Sequence, residues 1–357
     1  MVNVVTVSGE DRVNATLVGD QSFPSVTALA DGGFVVTWMS FNQDGSGWGV
    51  YLQRYGASGD PVGGEVLVNA TVAGSQQEPK VAALADGGWI VAWTSTAQDG
   101  SGSGIYQQRF TAAGLASGGE TRVNATVANH QQYPTVTALE DGGWVVTWTS
   151  LNQDGSNNGI FQQRYNAAGG TAGGETRVNA TTDGSQERST VTGLADGGWV
   201  VTWMTFGQDG SNWGVYQQRY TSAGLPEGPE TLVNTTVAGS QQYPAVTALA
   251  DGGWVVTWMS LNQDGSGSGI YQQRFDEDGA PVGGESLVNT TVADAQQYPS
   301  VTALADGGWV VTWMSANQDG SGSGVYQQRF GADGGALGAE GRVNGFTTGH
   351  QQFPTVT

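Results

Sequence analysis

The sequence predicts an all-β protein, and three observations lead to that prediction. A unit of 55 residues recurs without insertion or deletion, its apolar segments alternate with the period of a strand, and Asp-Gly-Gly turns separate those segments. Asp-Gly supplies the positive φ angles that tight hairpin turns require. No segment combines helical periodicity with capping residues, so each unit is expected to be a group of short antiparallel strands.

The third copy of the unit illustrates the four predicted strands in order. They span residues 134–139, 144–149, 160–165 and 175–179, and a polar loop at 152–159 joins the second strand to the third. The second strand carries Trp and Val on one face and Val and Thr on the other, as expected for a strand that is covered on both faces.

Four antiparallel strands in unbroken tandem are typical of a β-propeller blade. Six copies of the second and third strands predict six blades in one domain over residues 1–357, with about half a repeat left over at the ends. We expect a terminal strand to close the ring, with residues 10–14 completing the blade whose first strand begins at Pro299. A linear β-solenoid is the alternative, although 55 residues per turn is long for one.

Composition excludes several classes of function. The net charge is −20, Lys80 is the only lysine and cysteine is absent. Such a negative field repels nucleic acid, and no apolar run has the length of a membrane span. The missing cysteines exclude disulfides and thiolate nucleophiles.

One arginine and one glutamate recur in every complete unit. The arginine is the last residue but one of the third strand, and the glutamate opens the fourth strand just after the intervening turn. Buried arginine is costly unless it is paired, so the two are expected to form structural ion pairs across this hairpin, with a ligand-facing arginine as the alternative. The pairs considered are Arg109 with Glu120, Arg164 with Glu175 and Arg274 with Glu285.

The Gln-Asp-Gly-Ser loop between the second and third strands has two interpretations. Its aspartate either folds the loop as an Asx turn or provides one ligand to calcium, the one candidate ion, which takes about 6–8 oxygens. The spacing matches neither the EF-hand nor the Gly-Gly-x-Gly-x-Asp nonapeptide. The aspartates are Asp44, Asp99, Asp154, Asp209, Asp264 and Asp319.

The residue that precedes the last glycine of this loop varies sharply between copies. An exposed tryptophan there would be a stacking platform for a sugar ring, and six similar clefts between blades would bind multivalently. The alternative is that the tryptophans only cover neighbouring loops. The candidate ligand-binding residues are Trp48, Ser103, Asn158, Trp213, Ser268 and Ser323.

Catalysis is not expected. No Ser-His-Asp set, HExxH or P-loop motif occurs. A propeller glycosidase would need two unrepeated carboxylates at one pocket. The unrepeated acids, Glu78, Glu140, Glu187 and residues 276–278, are predicted to lie scattered among turns.

The unit resembles a repeat of large secreted bacterial proteins, haemolysin-like or adhesin-like and exported by type I secretion. The matching residues are Ala-Leu-Ala-Asp-Gly-Gly-Trp at 248–254, Gln-Asp-Gly-Ser-Gly-Ser-Gly-Ile-Tyr at 263–271 and Gly-Gly-Glu at 283–285. The resemblance covers nearly the whole chain and implies an extracellular or cell-surface setting. A looser likeness to six-bladed propeller lectins rests on the residue types Arg, Glu and Trp.

These observations together predict a non-catalytic extracellular module. It would present a multivalent binding face or act as a rigid spacer in a larger secreted bacterial protein, with glycans or other cell-surface ligands as partners. A lectin with sites between blades is the alternative, and a propeller glycosidase is the third hypothesis.

Overall fold

The computed structural model describes residues 10–357 and shows six four-stranded antiparallel sheets, the blades of a β-propeller. Within each blade the strands lie side by side in sequence order. No helix occurs among the described residues, so none is long and apolar enough to cross a membrane. The predicted all-β fold of six four-stranded blades is confirmed.

The strand bounds repeat closely from blade to blade. Blade one comprises β1 (Gln21–Ala28), β2 (Phe34–Phe41), β3 (Trp48–Tyr55) and β4 (Pro61–Leu67). Blade two comprises β5 (Gln76–Ala83), β6 (Trp89–Thr96), β7 (Ser103–Phe110) and β8 (Ala116–Arg122). Blade three comprises β9 (Gln131–Ala138), β10 (Trp144–Leu151), β11 (Asn158–Tyr165) and β12 (Thr176–Arg177).

The second half of the chain continues the same arrangement. Blade four comprises β13 (Gln186–Gly193), β14 (Trp199–Phe206), β15 (Trp213–Tyr220) and β16 (Pro226–Leu232). Blade five comprises β17 (Gln241–Ala248), β18 (Trp254–Leu261), β19 (Ser268–Phe275) and β20 (Pro281–Leu287). Blade six comprises β21 (Gln296–Ala303), β22 (Trp309–Ala316), β23 (Ser323–Phe330) and β24 (Ala336–Arg342).

The first strand of each blade begins earlier than the sequence pattern predicts. β9 starts at Gln131, three residues before Pro134, which lies inside the strand. Proline is tolerated in a strand that has one edge free of a pairing partner, and each first strand pairs with the second strand of its blade alone.

The apolar core lies between consecutive blades. Trp89 and Trp93 of blade two pack against Val35 and Val50 of blade one, and equivalent clusters join each later pair of blades up to blades five and six. Blades two to five therefore bury both faces of their second and third strands, which explains why these strands are apolar on both sides.

The expected closure is not what the structure shows. The blade that includes Pro299 has its own fourth strand, β24, and residues 10–14 form no strand. A turn of only five residues, 331–335, joins β23 to β24, so a local hairpin forms in preference to a long-range pairing.

Candidate functional site

The first strands of all six blades, together with residues 353–355, surround one central cavity of about 450 Å³. Pairing of β9 with β10 places Gln131 opposite Ser150, next to the loop that joins β10 to β11. The first residues of each innermost strand therefore lie at the face that carries the long polar loops. We call this cavity the central pocket.

The same backbone distortion shapes the central pocket in every blade. The third residue of each first strand has a φ between 52° and 57°, and it falls within a register shift of the pairing with the second strand. Such bulges re-aim a side chain and are common beside functional sites. Non-glycine residues in this region of φ are strained by about 1–3 kcal/mol, and here the strain recurs around the pocket.

These six residues and Phe353, which is equivalent in the repeat but lies in no strand, form a ring that we call the pocket ring. It consists of Phe23, Glu78, Tyr133, Arg188, Tyr243, Tyr298 and Phe353.

Aromatic contacts run along one side of the pocket ring. The ring centroids of Tyr243 and Tyr298 are 4.9 Å apart, those of Tyr298 and Phe353 are 4.9 Å apart, and Phe353 stacks on Phe23 at 4.8 Å. These side chains are only partly buried. The pocket thus presents a continuous aromatic wall to solvent.

Charged residues occupy the other side of the pocket ring. The guanidinium carbon of Arg188 lies 3.5 Å from the centre of the Tyr133 ring, and Nη1 of Arg188 lies 3.9 Å from Oε1 of Glu78. Lys80, two residues after Glu78, also lines the pocket. The pocket-lining residues therefore include two cations and one carboxylate.

Enclosure in the pocket shifts the pKa values of two of these groups, Glu78 and Lys80. Burial raises the pKa of the Glu78 carboxyl, and the nearby Arg188 and Lys80 only partly offset it. Burial lowers the pKa of the Lys80 ammonium although its side chain reaches the solvent of the pocket, and Glu78 opposes that shift. Charges that are held in a cleft against their solvation preference mark a candidate functional site.

The repeat pattern did not reveal the central pocket, and the prediction that Glu78 lies among scattered turns is wrong. Glu78 instead lies in β5 and faces the pocket. A departure from the repeat could have revealed the pocket. Five of the seven copies have Tyr or Phe at this position, whereas the other two have Glu78 and Arg188. Lys80, the only lysine of the chain, lies beside them.

The two tryptophans predicted to bind ligand begin the third strands of blades one and four, directly after the polar loops. Trp48 is partly buried and packs against Phe41, with ring centroids 5.2 Å apart. Trp213 packs against Phe206 in the same way, at 5.4 Å. Their role in sugar binding stays a prediction.

The other predicted ligand residues are engaged within the protein. Ser103 is buried, with its hydroxyl 3.2 Å from Nδ1 of His130. Ser268 and Ser323 are buried as well, and Asn158 donates a hydrogen bond to the carboxylate of Glu187. The three serines therefore do not face solvent as the hypothesis of six open clefts requires.

Each loop aspartate folds its own loop. Oδ1 of Asp44 accepts a hydrogen bond from the N–H of Ser46 at 3.0 Å, which is the Asx turn that the sequence suggested. The same bond recurs at Asp99, Asp154, Asp209, Asp264 and Asp319. In residues 10–357 no three His, Asp or Glu side chains are grouped so that they could hold a metal ion, and calcium binding stays a prediction.

The predicted Arg–Glu pairing is wrong. Arg109 pairs with Asp86 of the hairpin turn in its own blade, Nη2 to Oδ2 at 2.7 Å. The register of β7 with β8 places Ser117, not Glu120, opposite Arg109. Arg164 and Arg274 likewise pair with Asp141 and Asp251.

The repeated glutamates instead hold the connections between blades. Glu120 accepts hydrogen bonds from the N–H of Ala70 at 2.8 Å, from the hydroxyl of Thr71 at 3.0 Å and from the side chain of Gln98. Glu175 and Glu285 contact the corresponding residues of their own connections. These carboxylates are structural, although their partners differ from those expected.

Comparison with solved structures places the fold among known β-propellers. A protein of unknown function from Dyadobacter fermentans aligns with a TM-score of 0.59 and 13% identity, over 82% of this chain and 90% of that chain. An α-L-arabinanase of Penicillium chrysogenum in complex with arabinobiose aligns at 0.56 and 15% identity, over 83% and 88%.

A microbial sialidase, Hz136, aligns with a TM-score of 0.54 and 10% identity, over 82% of this chain and 63% of that chain. These similarities establish the propeller fold alone, because identity is low. No protein-family model matches the sequence, and no curated protein matches it.

Proposed function

We propose that this protein is a non-catalytic carbohydrate-binding propeller that holds an acidic sugar in the central pocket. The observation that carries the proposal is the composition of the pocket, where an aromatic wall faces the two cations that depart from the repeat. Aromatic faces stack on sugar rings. Arginine and lysine recognise carboxylates, arginine through a bidentate pair of hydrogen bonds.

Charge supports an anionic ligand. The chain has a net charge of −20, yet Lys80 and Arg188 face the pocket with Glu78 as the only acid among the pocket-lining residues. A local excess of one positive charge within a negative molecule selects ligands that carry a carboxylate. Neutral sugars would gain the stacking contacts without this ionic term.

The pocket supports binding better than hydrolysis. Glycosidases of the usual type use two carboxyl groups about 5–10 Å apart. Among the residues that line the central pocket, Glu78 is the one carboxylate. The arabinan-degrading and sialidase folds that resemble this chain support a carbohydrate ligand, and their low identity carries no catalytic residue over to it.

The test is binding of acidic and neutral sugars to the purified protein by calorimetry, with oligogalacturonate and sialyllactose against arabinobiose and lactose. We expect one site per chain that prefers the acidic sugars. Lys80→Thr with Arg188→Tyr restores residues found at these positions in other copies, and it should weaken binding at least about tenfold, which is ~1.4 kcal/mol.

The matched control is Arg122→Ser, which removes an exposed cation away from the pocket. It should leave the affinity unchanged. Absence of binding to every sugar, or equal loss in both variants, would show the proposal to be wrong. Hydrolysis of an arabinofuranoside or sialoside that is abolished by Glu78→Gln would show that the protein is an enzyme.

Sites between blades remain a second candidate, favoured by the partly exposed Trp48 and Trp213. Trp48→Ala with Trp213→Ala distinguishes the two locations, because the central pocket contains neither residue. An extracellular setting also belongs to the proposal, and it rests on the resemblance of the repeat to those of secreted bacterial proteins.

A further inference from the structure

The space between blade six and blade one contains the two ends of the described chain, residues 10–18 and 351–357. We call this space the seventh sector. Its inner contact copies those between blades: the N–H of Ala28 donates to the hydroxyl of Thr357 at 3.1 Å, as the N–H of Ala83 donates to Thr27 at 3.2 Å. Residues 351–357 thus occupy the position of a first strand.

The outer contact of the seventh sector copies the repeat as well. Glu10 accepts hydrogen bonds from the N–H groups of Gly345 and Phe346, at 3.0 and 2.9 Å. In the same way, Glu120 of blade two accepts a hydrogen bond from the N–H of Ala70, which lies in the connection from blade one. The innermost and outermost positions of a seventh blade are therefore occupied, while no segment of residues 10–357 fills its second and third strands.

Blade six exposes the face that this missing pair of strands would cover. Val343 is 52% exposed, whereas the equivalent Val288 of blade five is 3% exposed. Val325 is partly exposed, whereas the equivalent Ile270 is completely buried. The exposed face is apolar because its sequence is that of a blade interface.

The exposed face of blade six also carries a side-chain hydrogen-bond acceptor, Gln327, whose equivalent in blade five is already hydrogen-bonded. Oε1 of Gln272 in blade five accepts from the indole N–H of Trp309 in blade six at 2.9 Å. Gln327 is the equivalent residue of blade six, and it is exposed. The tryptophan that begins a second strand would satisfy it.

Blade one presents the opposite wall of the seventh sector. Its cluster of Val36, Trp38 and Tyr51 contains residues of blade one alone, whereas the other clusters each join two blades. Phe34 and Tyr55 are partly exposed, although their equivalents Trp89 and Phe110 are buried.

We propose that the seventh sector binds a two-stranded β-hairpin with the sequence of this repeat's own second and third strands, such as Trp309–Phe330. The argument is continuity with an interface that the chain already forms five times. The hairpin would pair with residues 351–357, cover Val325 and Val343, and donate its first indole N–H to Gln327.

The test extends the chain after Thr357 with a copy of residues 303–330. This copy continues in register, because Val356 and Thr357 correspond to Val301 and Thr302. We expect the melting temperature to rise by at least about 4 °C and the extension to resist proteolysis. The same extension with its residues scrambled should produce neither effect.

Val325→Asp provides the matched control, because it places a charge on the proposed contact face. It should abolish the stabilisation by the extension while changing the melting temperature of the unextended protein little. An extension that is digested and leaves the melting temperature unchanged would show the proposal to be wrong.

A labelled peptide of residues 309–330, added to the unextended protein, tests the proposal independently if the longer chain fails to fold. Saturable binding of one peptide per chain, lost in Val325→Asp, is expected. If the peptide does not bind and the protein forms dimers that Val325→Asp dissociates, a second copy occupies the sector and the proposal is wrong.

Discussion

Lys80 shows how a single residue reveals a site that the repeat pattern conceals. The equivalent positions in other blades have small residues such as Thr135 and Ser300, which need no counter-charge. Lys80 is held with Arg188 near Glu78 in the central pocket, and burial lowers its pKa. A charge that is held in a cleft against its solvation preference marks a candidate functional position.

Replacement of Lys80 by Met is expected to stabilise the protein in the absence of ligand. A lysine whose pKa is lower in the folded than in the unfolded state costs stability when it is protonated, and this cost disappears as the pH rises toward 10.5, the ordinary lysine value. Lys80→Met should therefore raise the melting temperature by ~2 °C near pH 7, and the gain should shrink at alkaline pH. Thermal melts from pH 6 to 10 measure this, and a lower melting temperature in the variant would contradict it.

Charged side chains were the least predictable part of the sequence. The recurrence of Arg109 and Glu120 suggested an ion pair between them, whereas the two side chains contact different partners. Asp86 is as regularly spaced as Glu120, and only the strand register decides between them. Register depends on a bulge in the pairing of β7 with β8, which periodicity alone does not reveal.

At the scale of elements, the buried glutamine of the third strand has a clear role. It accepts a hydrogen bond from the tryptophan that begins the second strand of the next blade. Oε1 of Gln162 accepts from the indole N–H of Trp199 at 2.9 Å. Blade one has Leu52 at this position, and the buried indole N–H of Trp89 has no partner. The chain thus contains one interface that lacks a bond found in its neighbours.

Leu52→Gln is expected to stabilise the protein by about 1 kcal/mol, because it gives a buried donor its acceptor. The reverse change, Gln162→Leu, should cost about 1–3 kcal/mol, because it leaves the Trp199 indole N–H unsatisfied. Urea unfolding of both variants measures the free energies. A loss of stability in Leu52→Gln would mean that the first interface cannot accommodate the larger polar side chain.

The strands themselves were largely predictable, for a physical reason. Alternation and Asp-Gly-Gly turns indicated β10 from Trp144 onward and the hairpin that precedes it, both of which the structure contains. The residues before Pro134 carried no strand signal, because a bulge with positive φ interrupts the alternation there. The central pocket lies at that interruption, and for that reason periodicity did not reveal it.

At the scale of the whole molecule, the ring is uneven. A buried apolar cluster fills each of the five interfaces between consecutive blades. The seventh sector contains only the segments 10–18 and 351–357, and it leaves one face of blade six exposed. Local opening needs least free energy where few apolar contacts are lost. Opening is therefore expected to begin at residues 10–18 and 351–357 and at the edges of blades one and six.

A pair of equivalent substitutions tests this unevenness. Val288→Ala removes a buried side chain from the interface of blades five and six and should cost about 1.5–3 kcal/mol. Val343→Ala removes the equivalent side chain, which is 52% exposed, and should change the free energy of unfolding by less than about 0.5 kcal/mol. Denaturant unfolding measures both, and hydrogen exchange should show the fastest amides in the seventh sector. Equal costs for the two variants would mean that the sector is as tightly packed in solution as the other interfaces, and the slot that we assign to a β-hairpin would then not exist.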